Sequence, residues 1–329
     1  MQIVRTGSEN DPRLLKMLLC GDPGKGKTLF SSTAPNVLLL SVEGGNLSIQ
    51  DRHIPYVTIE NSADFFELIK ILQCPSDQRA MYLKTLGFDG PLNCVVVDTI
   101  DEVCSILAKE RYVSQKHDAL TLNDYGWLKE QLKQITTALR NLDLHVIMTA
   151  HLKARGEEDG GTSFLPAIEG SFAEKIAGYV DLAVLLRSAV TTEVVNNQPV
   201  KVIHRWLQTY ADNQHDWIKD RSGRLPFEVP VTFDGDFMRL CNFIWPEGPT
   251  MTPAAPEPVP EPAEVPPPEE IPEGTISATE AKKLVFAAAD QNSDRAGAAW
   301  RTAGLEGVKH ITHEQLNRAL RLTEIPLTA

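Results

Sequence analysis

Residues Gly21 to Thr28 read G-D-P-G-K-G-K-T. The spacing G-x-x-x-x-G-K-T puts glycines where backbone must come close to phosphate oxygens and aim amide N–H groups at them. In such a loop Lys27 reaches the β- and γ-phosphates, and the Thr28 hydroxyl coordinates Mg2+. The candidate nucleotide-binding residues are therefore Gly21, Asp22, Pro23, Gly24, Lys25, Gly26, Lys27, Thr28 and Leu29, with ATP and Mg2+ as the implied ligands. Lys25 either adds charge near the phosphates or is a tolerated surface residue. The loop fixes a triphosphate but does not choose a reaction.

Other residues bear on that choice. In "CVVVDTID" a buried strand ends in Asp98. An acid there can hold a Mg2+-bound water beside Thr28, or it can cap the next helix. Asp101 could also sit near the metal, but a solvated acid in the first turn of that helix is the better reading. Glu43, in "VLLLSVEGG", follows the strand after the loop and can orient an attacking water near the γ-phosphate, or can be a surface glutamate in a glycine turn. A kinase that phosphorylates a small molecule has no such need. The strand "HVIMTAHL" ends in polar Thr149 and His151, which can sense the γ-phosphate and pass its state to the following loop, or His151 can be a satisfied histidine at the loop's entry. In "DWIKDRSGRLP", Lys219 and Arg221 alternate on a short strand before a Ser222-Gly223 turn, so both point to one side. Two such cations can act on a phosphate of a neighbouring subunit, or can simply be a solvated hairpin tip.

These residues need a scaffold. Apolar runs at 14–20, 36–42, 56–59, 93–98, 144–150 and 181–187 read as strands, several buried on both faces. Helices are expected at 62–73, 100–115, 125–141 and 170–179. In the third, Leu128, Leu132, Ile135, Leu139 and Leu142 form a stripe at helical spacing. The alternation predicts an α/β fold with a mainly parallel sheet covered by helices on both faces. After residue 188, two strands around Asn196-Asn197 and short strands in "HDWIKD" and "FEVPVTF" extend it with antiparallel members.

Residues 246–275 hold eleven of the 22 prolines and seven Glu, with no Lys or Arg. This composition reads as an extended, solvated linker. It separates a core of 1–245 from a small C-terminal module of 276–329. There "SATE" and "THEQ" are capping boxes, and three short helices are expected. The module could bind DNA, a partner or nothing. The net charge of −12 divides as −6 over 1–245, −7 over the linker and +1 beyond it. Such a chain can meet nucleic acid only through a local basic patch, or through several subunits lining one groove. Five scattered cysteines without a C-x-x-C pair fit a reducing cytoplasm, and no apolar run is long enough to suggest a membrane helix.

Taken in order, these pieces resemble the RecA-like ATPase core. More narrowly, the chain is similar to phage-encoded RecA-like nucleotide-binding proteins, including single-strand annealing ATPases. The similarity rests on "GDPGKGKT", "DT" at 98–99, "NDYGWLKEQL" at 123–132, "VIMTAHL" at 146–152 and "LPAIEGSFAEKIAGYVDLAVLL" at 165–186. It covers about residues 12–235. The segment "KDRSG" resembles the K-x-R-x-G hairpin of hexameric replicative helicases, where both cations reach a neighbour's ATP. One departure is Thr-Ala-His where recombinases often carry glutamine, which leaves the sensor between Thr149 and His151. The resemblance implies a Mg2+-dependent ATPase, active in the host cytoplasm, with Lys27, Glu43, Lys219 and Arg221 catalytic and His151 near the nucleotide. It implies assembly into a ring or filament, with ATP sites at subunit interfaces and single-stranded DNA as partner. The expected DNA loops are 109–124, with Lys109, Arg111 and Lys116, and 152–165, with Lys153 and Arg155. A nucleotide-gated loader for a helicase or recombinase, with residues 276–329 as its docking module, is the alternative.

Overall fold

The computed structural model describes residues 13–116, 118–156, 160–195, 198–250, 275–289, 293–308 and 310–323. Two compact units emerge, Met1–Ala255 and Pro256–Ala329. In the first, the order is β1 (Lys16–Cys20), α1 (Lys27–Ser31), β2 (Val37–Ser41), β3 (Tyr56–Thr58), α2 (Ser62–Leu72), α3 (Ser76–Thr85), β4 (Cys94–Asp98), α4 (Ile100–Ser114) and α5 (Leu122–Arg140). There follow β5 (His145–Ala150), β6 (Leu152–Gly156), β7 (Thr162–Pro166), β8 (Leu182–Val195), β9 (Gln198–Gln208), β10 (Lys219–Asp220), β11 (Glu228–Pro230) and α6 (Asp236–Ile244).

The strands β3-β2-β4-β5-β1-β8 lie side by side and parallel. Antiparallel β9 and β10 both pair with β8, and β11 pairs with β9. Every residue of β1, β2, β4 and β5 is buried. Successive side chains alternate between two cores, as the pleat requires. Leu18, Leu38, Val95, Val97 and Met148 meet the Leu128, Leu132, Ile135 and Leu139 stripe of α5. Met17, Leu19, Leu39, Val96 and Ile147 meet Phe30 of α1 and Phe237 and Leu240 of α6. The expected parallel sheet with both faces covered is what forms. Its carboxyl edge brings Cys20 level with Ala150, and Ser41 level with Asp98. In open parallel sheets this is the edge where ligands bind.

Several details differ from the sequence reading. The helix expected at 170–179 is two 3₁₀ turns, Gly170–Phe172 and Ile176–Tyr179. The stretch 109–124 is not one loop: Lys109 and Arg111 lie in α4, and only 115–121 connects it to α5. The stretch 152–165 is the β6–β7 hairpin, with residues 157–159 outside the described set. The Asn196-Asn197 turn also lies outside it, between paired β8 and β9. Residues 246–250, read as linker, are tied to the core instead. The Arg13 guanidinium donates to Gly248 O at 3.1 Å and Glu247 Oε2 at 2.8 Å, and the Thr250 N–H donates to Arg13 O at 3.2 Å. Residues 251–274, most of the expected linker, lie outside the described residues. Among the described residues, no helix is long and apolar enough to cross a membrane.

The second unit contains β12 (Thr275–Ser277), α7 (Ala278–Ala288), α8 (Ser293–Thr302), β13 (His310–Thr312) and α9 (His313–Thr323). The three helices enclose Val285, Trp300, Leu305, Ile311 and Leu316. Both capping motifs form: Ser277 Oγ accepts from the Glu280 N–H at 3.2 Å, and Thr312 Oγ1 accepts from the Gln315 N–H at 3.2 Å. The β12–β13 pairing was not foreshadowed by the sequence.

Candidate active site

The loop between β1 and α1 turns on two glycines in the left-handed region, Gly24 at φ +74° and Gly26 at φ +104°, which costs other residues more. At Gly21 the constraint is space, since a β-carbon there would stand 3.1 Å from Leu186 O. Lys27 is buried, and its Nζ donates to Gly21 O at 2.8 Å and Asp22 O at 3.3 Å. Burial pushes its pKa below the ordinary lysine value, against the opposing pull of Glu43, Asp98 and Asp101. The side chain is thus desolvated, tied to two loop carbonyls, with three acids near enough to oppose the effect of burial. Asp22, Pro23 and Gly24 form the exposed crest of the loop. Lys25 donates to Ser188 Oγ at 3.1 Å, so it has a fixed place against β8.

Asp98 stands at the tip of β4 and is only 4% exposed. Its Oδ2 accepts from Thr28 Oγ1 at 2.7 Å. Its Oδ1 accepts from Thr149 Oγ1, on the tip of β5. The capping alternative for Asp98 falls to its neighbour: Thr99 caps α4, its side chain accepting from the Glu102 N–H. A hydroxyl and a carboxylate side by side are a donor set suited to magnesium, which keeps several waters and takes its other oxygens from phosphate. Among the described residues, no group of three or more His, Cys, Asp and Glu side chains forms a metal cage. Thr28 and Asp98 would therefore be the protein's share of the coordination.

Glu43 stands two residues past the end of β2. The N–H groups of Val42 and Glu43 donate to Asp98 O at 2.9 and 3.2 Å, which fixes the glutamate beside the β4 tip. Its carboxylate is 43% exposed, and Oε1 lies 3.6 Å from His151 Nε2. His151 in turn places Nδ1 2.9 Å from Asp101 Oδ2, while its N–H donates to Asp101 Oδ1 at 3.2 Å. An ionised carboxylate only accepts, so Nδ1 carries the proton donated to Asp101, and Nε2 faces Glu43. Asp101 is 7% exposed, not the solvated acid expected. The signal that could have found it is its place on the first turn of α4, three residues after Asp98.

Lys219 and Arg221 do not join this group. Lys219 pairs with Ala183, and Asp220 with Leu182, at the amino end of β8. Arg221 has left the strand, which corrects the expectation that the two alternate along it. The Arg221 N–H donates to Asp181 O at 3.1 Å and its Nη2 to Gly178 O at 2.8 Å. Burial lowers the Lys219 pKa, with Arg221 adding to the effect. Arg221 lines a cavity of about 370 Å³ with Arg13, Arg224, Asp181 and Trp245. Both stand beyond β8, two strands from β1: Arg221 is level with Lys16, five residues or roughly 16 Å from Gly21 at a strand's rise, and Lys219 is level with Leu18, three residues or roughly 10 Å from it. Neither cation reaches its own chain's loop.

A glycine loop between the first strand and helix, with a hydroxyl–carboxylate pair formed across an inserted strand, defines a P-loop nucleotide-binding ATPase fold. Residues 13–222 match the family described as an AAA domain, and the chain belongs to that family of P-loop ATPases. No curated protein matches the chain.

Proposed function

We propose that this chain hydrolyses ATP with Mg2+, and that it does so as an oligomer acting on single-stranded DNA in phage recombination or annealing. The observation that carries the reading is the Glu43–His151–Asp101 chain of contacts. It links a carboxylate beside the loop to the root of the β6–β7 hairpin, which starts one residue after His151. In this reading Glu43 accepts a proton from the attacking water. Lys27 moves to the β- and γ-phosphate oxygens, Thr28 and Asp98 hold the metal, and His151 passes the state of the γ-phosphate to the hairpin.

The DNA side of the reading rests on sparse cations. Arg155 pairs with Glu174, Arg111 pairs with Asp124, and Lys153 donates to Ile168 O, which leaves Lys109 and Lys116 as exposed side chains. Several subunits along one strand would add such charges together. Lys219 and Arg221, remote from their own loop, would serve the phosphates of a neighbour. A second reading, a nucleotide-gated loader for a helicase or recombinase, is favoured by one feature: a separately packed three-helix unit after residue 274. The test is ATP hydrolysis with and without single-stranded DNA, with particle mass measured in the same buffers. Stimulated hydrolysis with assembly is expected. ATP binding with slow turnover and no DNA affinity would favour the loader, and phosphate transfer to a nucleoside monophosphate would overturn both.

A further inference from the structure

The family match ends at residue 222, yet part of the loop's surroundings comes from beyond it. The ring of Phe233 points edge-on at Gly26: a β-carbon there would stand 2.5 Å from Cζ and 3.0 Å from Cε1. Phe233 has φ +63°, a left-handed conformation that a bulky side chain rarely adopts. Dedicated contacts hold it so. The Asp236 carboxylate accepts from the N–H groups of Thr232 and Phe233, and Arg52 Nη2 donates to Phe233 O at 2.7 Å. Strain of this kind persists where the surroundings over-determine it, and it clusters at ligand clamps.

A second residue stands with it. The Arg205 guanidinium lies 5.1 Å from the Phe233 ring centroid. Its Nε is buried and has no hydrogen-bond partner among the described residues. Arg205 pairs with Ser188 across β8 and β9, and Ser188 accepts from Lys25. Lys25, Gly26, Arg205 and Phe233 therefore form one patch on the β8–β9 side of the loop. Asp98 and Glu43 lie on the opposite side of β1, at the tips of β4 and β2. A triphosphate whose γ end faces those acids must send its nucleoside end the other way, toward this patch.

We propose that Phe233, backed by Arg205, is the platform on which the nucleobase of the bound triphosphate stacks. The proposal rests on reading the loop as a triphosphate site. A planar base is recognised by an aromatic face and a guanidinium plane, whereas inorganic tripolyphosphate makes no use of either. Equilibrium binding of ATP and of tripolyphosphate to the full chain separates the two contributions. Phe233→Ala is expected to weaken ATP by roughly 5- to 150-fold, the range for one base–aromatic stack, and to leave tripolyphosphate within about twofold. Phe233→Leu, which keeps apolar packing against Gly26, should show the same selective loss, and Phe233→Tyr should restore ATP. Equal weakening of both probes would make Phe233 a structural prop for the loop and overturn the proposal, as would unchanged ATP affinity. Wild-type protein that binds neither probe would overturn the triphosphate reading itself, a result distinct from either.

Discussion

His145 offers a quantitative check on how the central strand is anchored. It opens β5, the strand that carries Thr149 one residue from its other end. The ring is fully buried, with Nδ1 accepting from the Leu15 N–H at 2.9 Å and Nε2–H facing Thr250 O at 3.1 Å. Burial lowers its pKa from 6.5 to about 4; the Thr250 contact opposes this and the Lys16 charge adds to it. The folded state therefore resists a proton that the unfolded chain takes up readily. The stabilisation is complete above pH 6.5 and is lost as pH falls toward 4. By linkage this one group costs about 2 kcal/mol by pH 5 and about 3 kcal/mol by pH 4. Against a typical total of about 5–15 kcal/mol, that is a measurable fraction. The assay is urea unfolding of wild type and His145→Asn between pH 7 and pH 4. Asparagine can keep the acceptor toward Leu15 but does not titrate. The variant should be weaker at pH 7 and lose about 2 kcal/mol less than wild type on going to pH 5. Parallel pH profiles for the two proteins would refute the idea that a buried neutral imidazole holds the strand.

Three further outcomes follow from the site. Thr149→Val keeps the side-chain shape but removes the hydroxyl that bonds Asp98 and Val97 O; it should cost about 1.5–3 kcal/mol in urea unfolding. Asp101→Asn removes the charge that orients His151, so turnover should fall roughly tenfold or more while ATP affinity holds, and the pH–rate profile should shift. A turnover loss that merely tracks lost binding would count against that positioning role. Arg221→Ala should lower hydrolysis roughly a thousandfold and regain activity when mixed with Lys27→Ala, each subunit supplying what the other lacks. Failure of the mixture to hydrolyse ATP would remove Arg221 from the reaction.

The Thr28–Asp98 contact, spanning seventy positions, was legible because a motif marks each partner, Thr28 closing the glycine loop and Asp98 ending a strand. The strands β1, β2, β4 and β5 were legible too, as unbroken apolar runs. Helix α3 was not. Its sequence "SDQRAMYLKT" has no apolar stripe, and Leu83 is its one buried hydrophobic residue. Arg79 holds it instead, donating to Leu72 O at 3.0 Å and pairing with Asp143. Asp101 was misjudged because first-turn acids are usually solvated, and its partner lies fifty residues away. Phe233 carries no motif at all: its meaning lies in a backbone angle and in what faces its ring. At 170–179 the chain turns in the helical sense but in two short 3₁₀ pieces rather than one helix.

The separation of Arg221 from its own loop has a consequence for counting. If each subunit offers a plug at one end of its sheet and a socket at the other, assembly has a direction. An open chain of n subunits then completes n−1 sockets and always leaves one terminus idle. A closed ring leaves none. Turnover per subunit would rise with length in the first case, approaching a ceiling, and would be constant once the second had formed. The geometry of the assembly would thus be written into the dependence of rate on protein concentration, readable without an image of the particle.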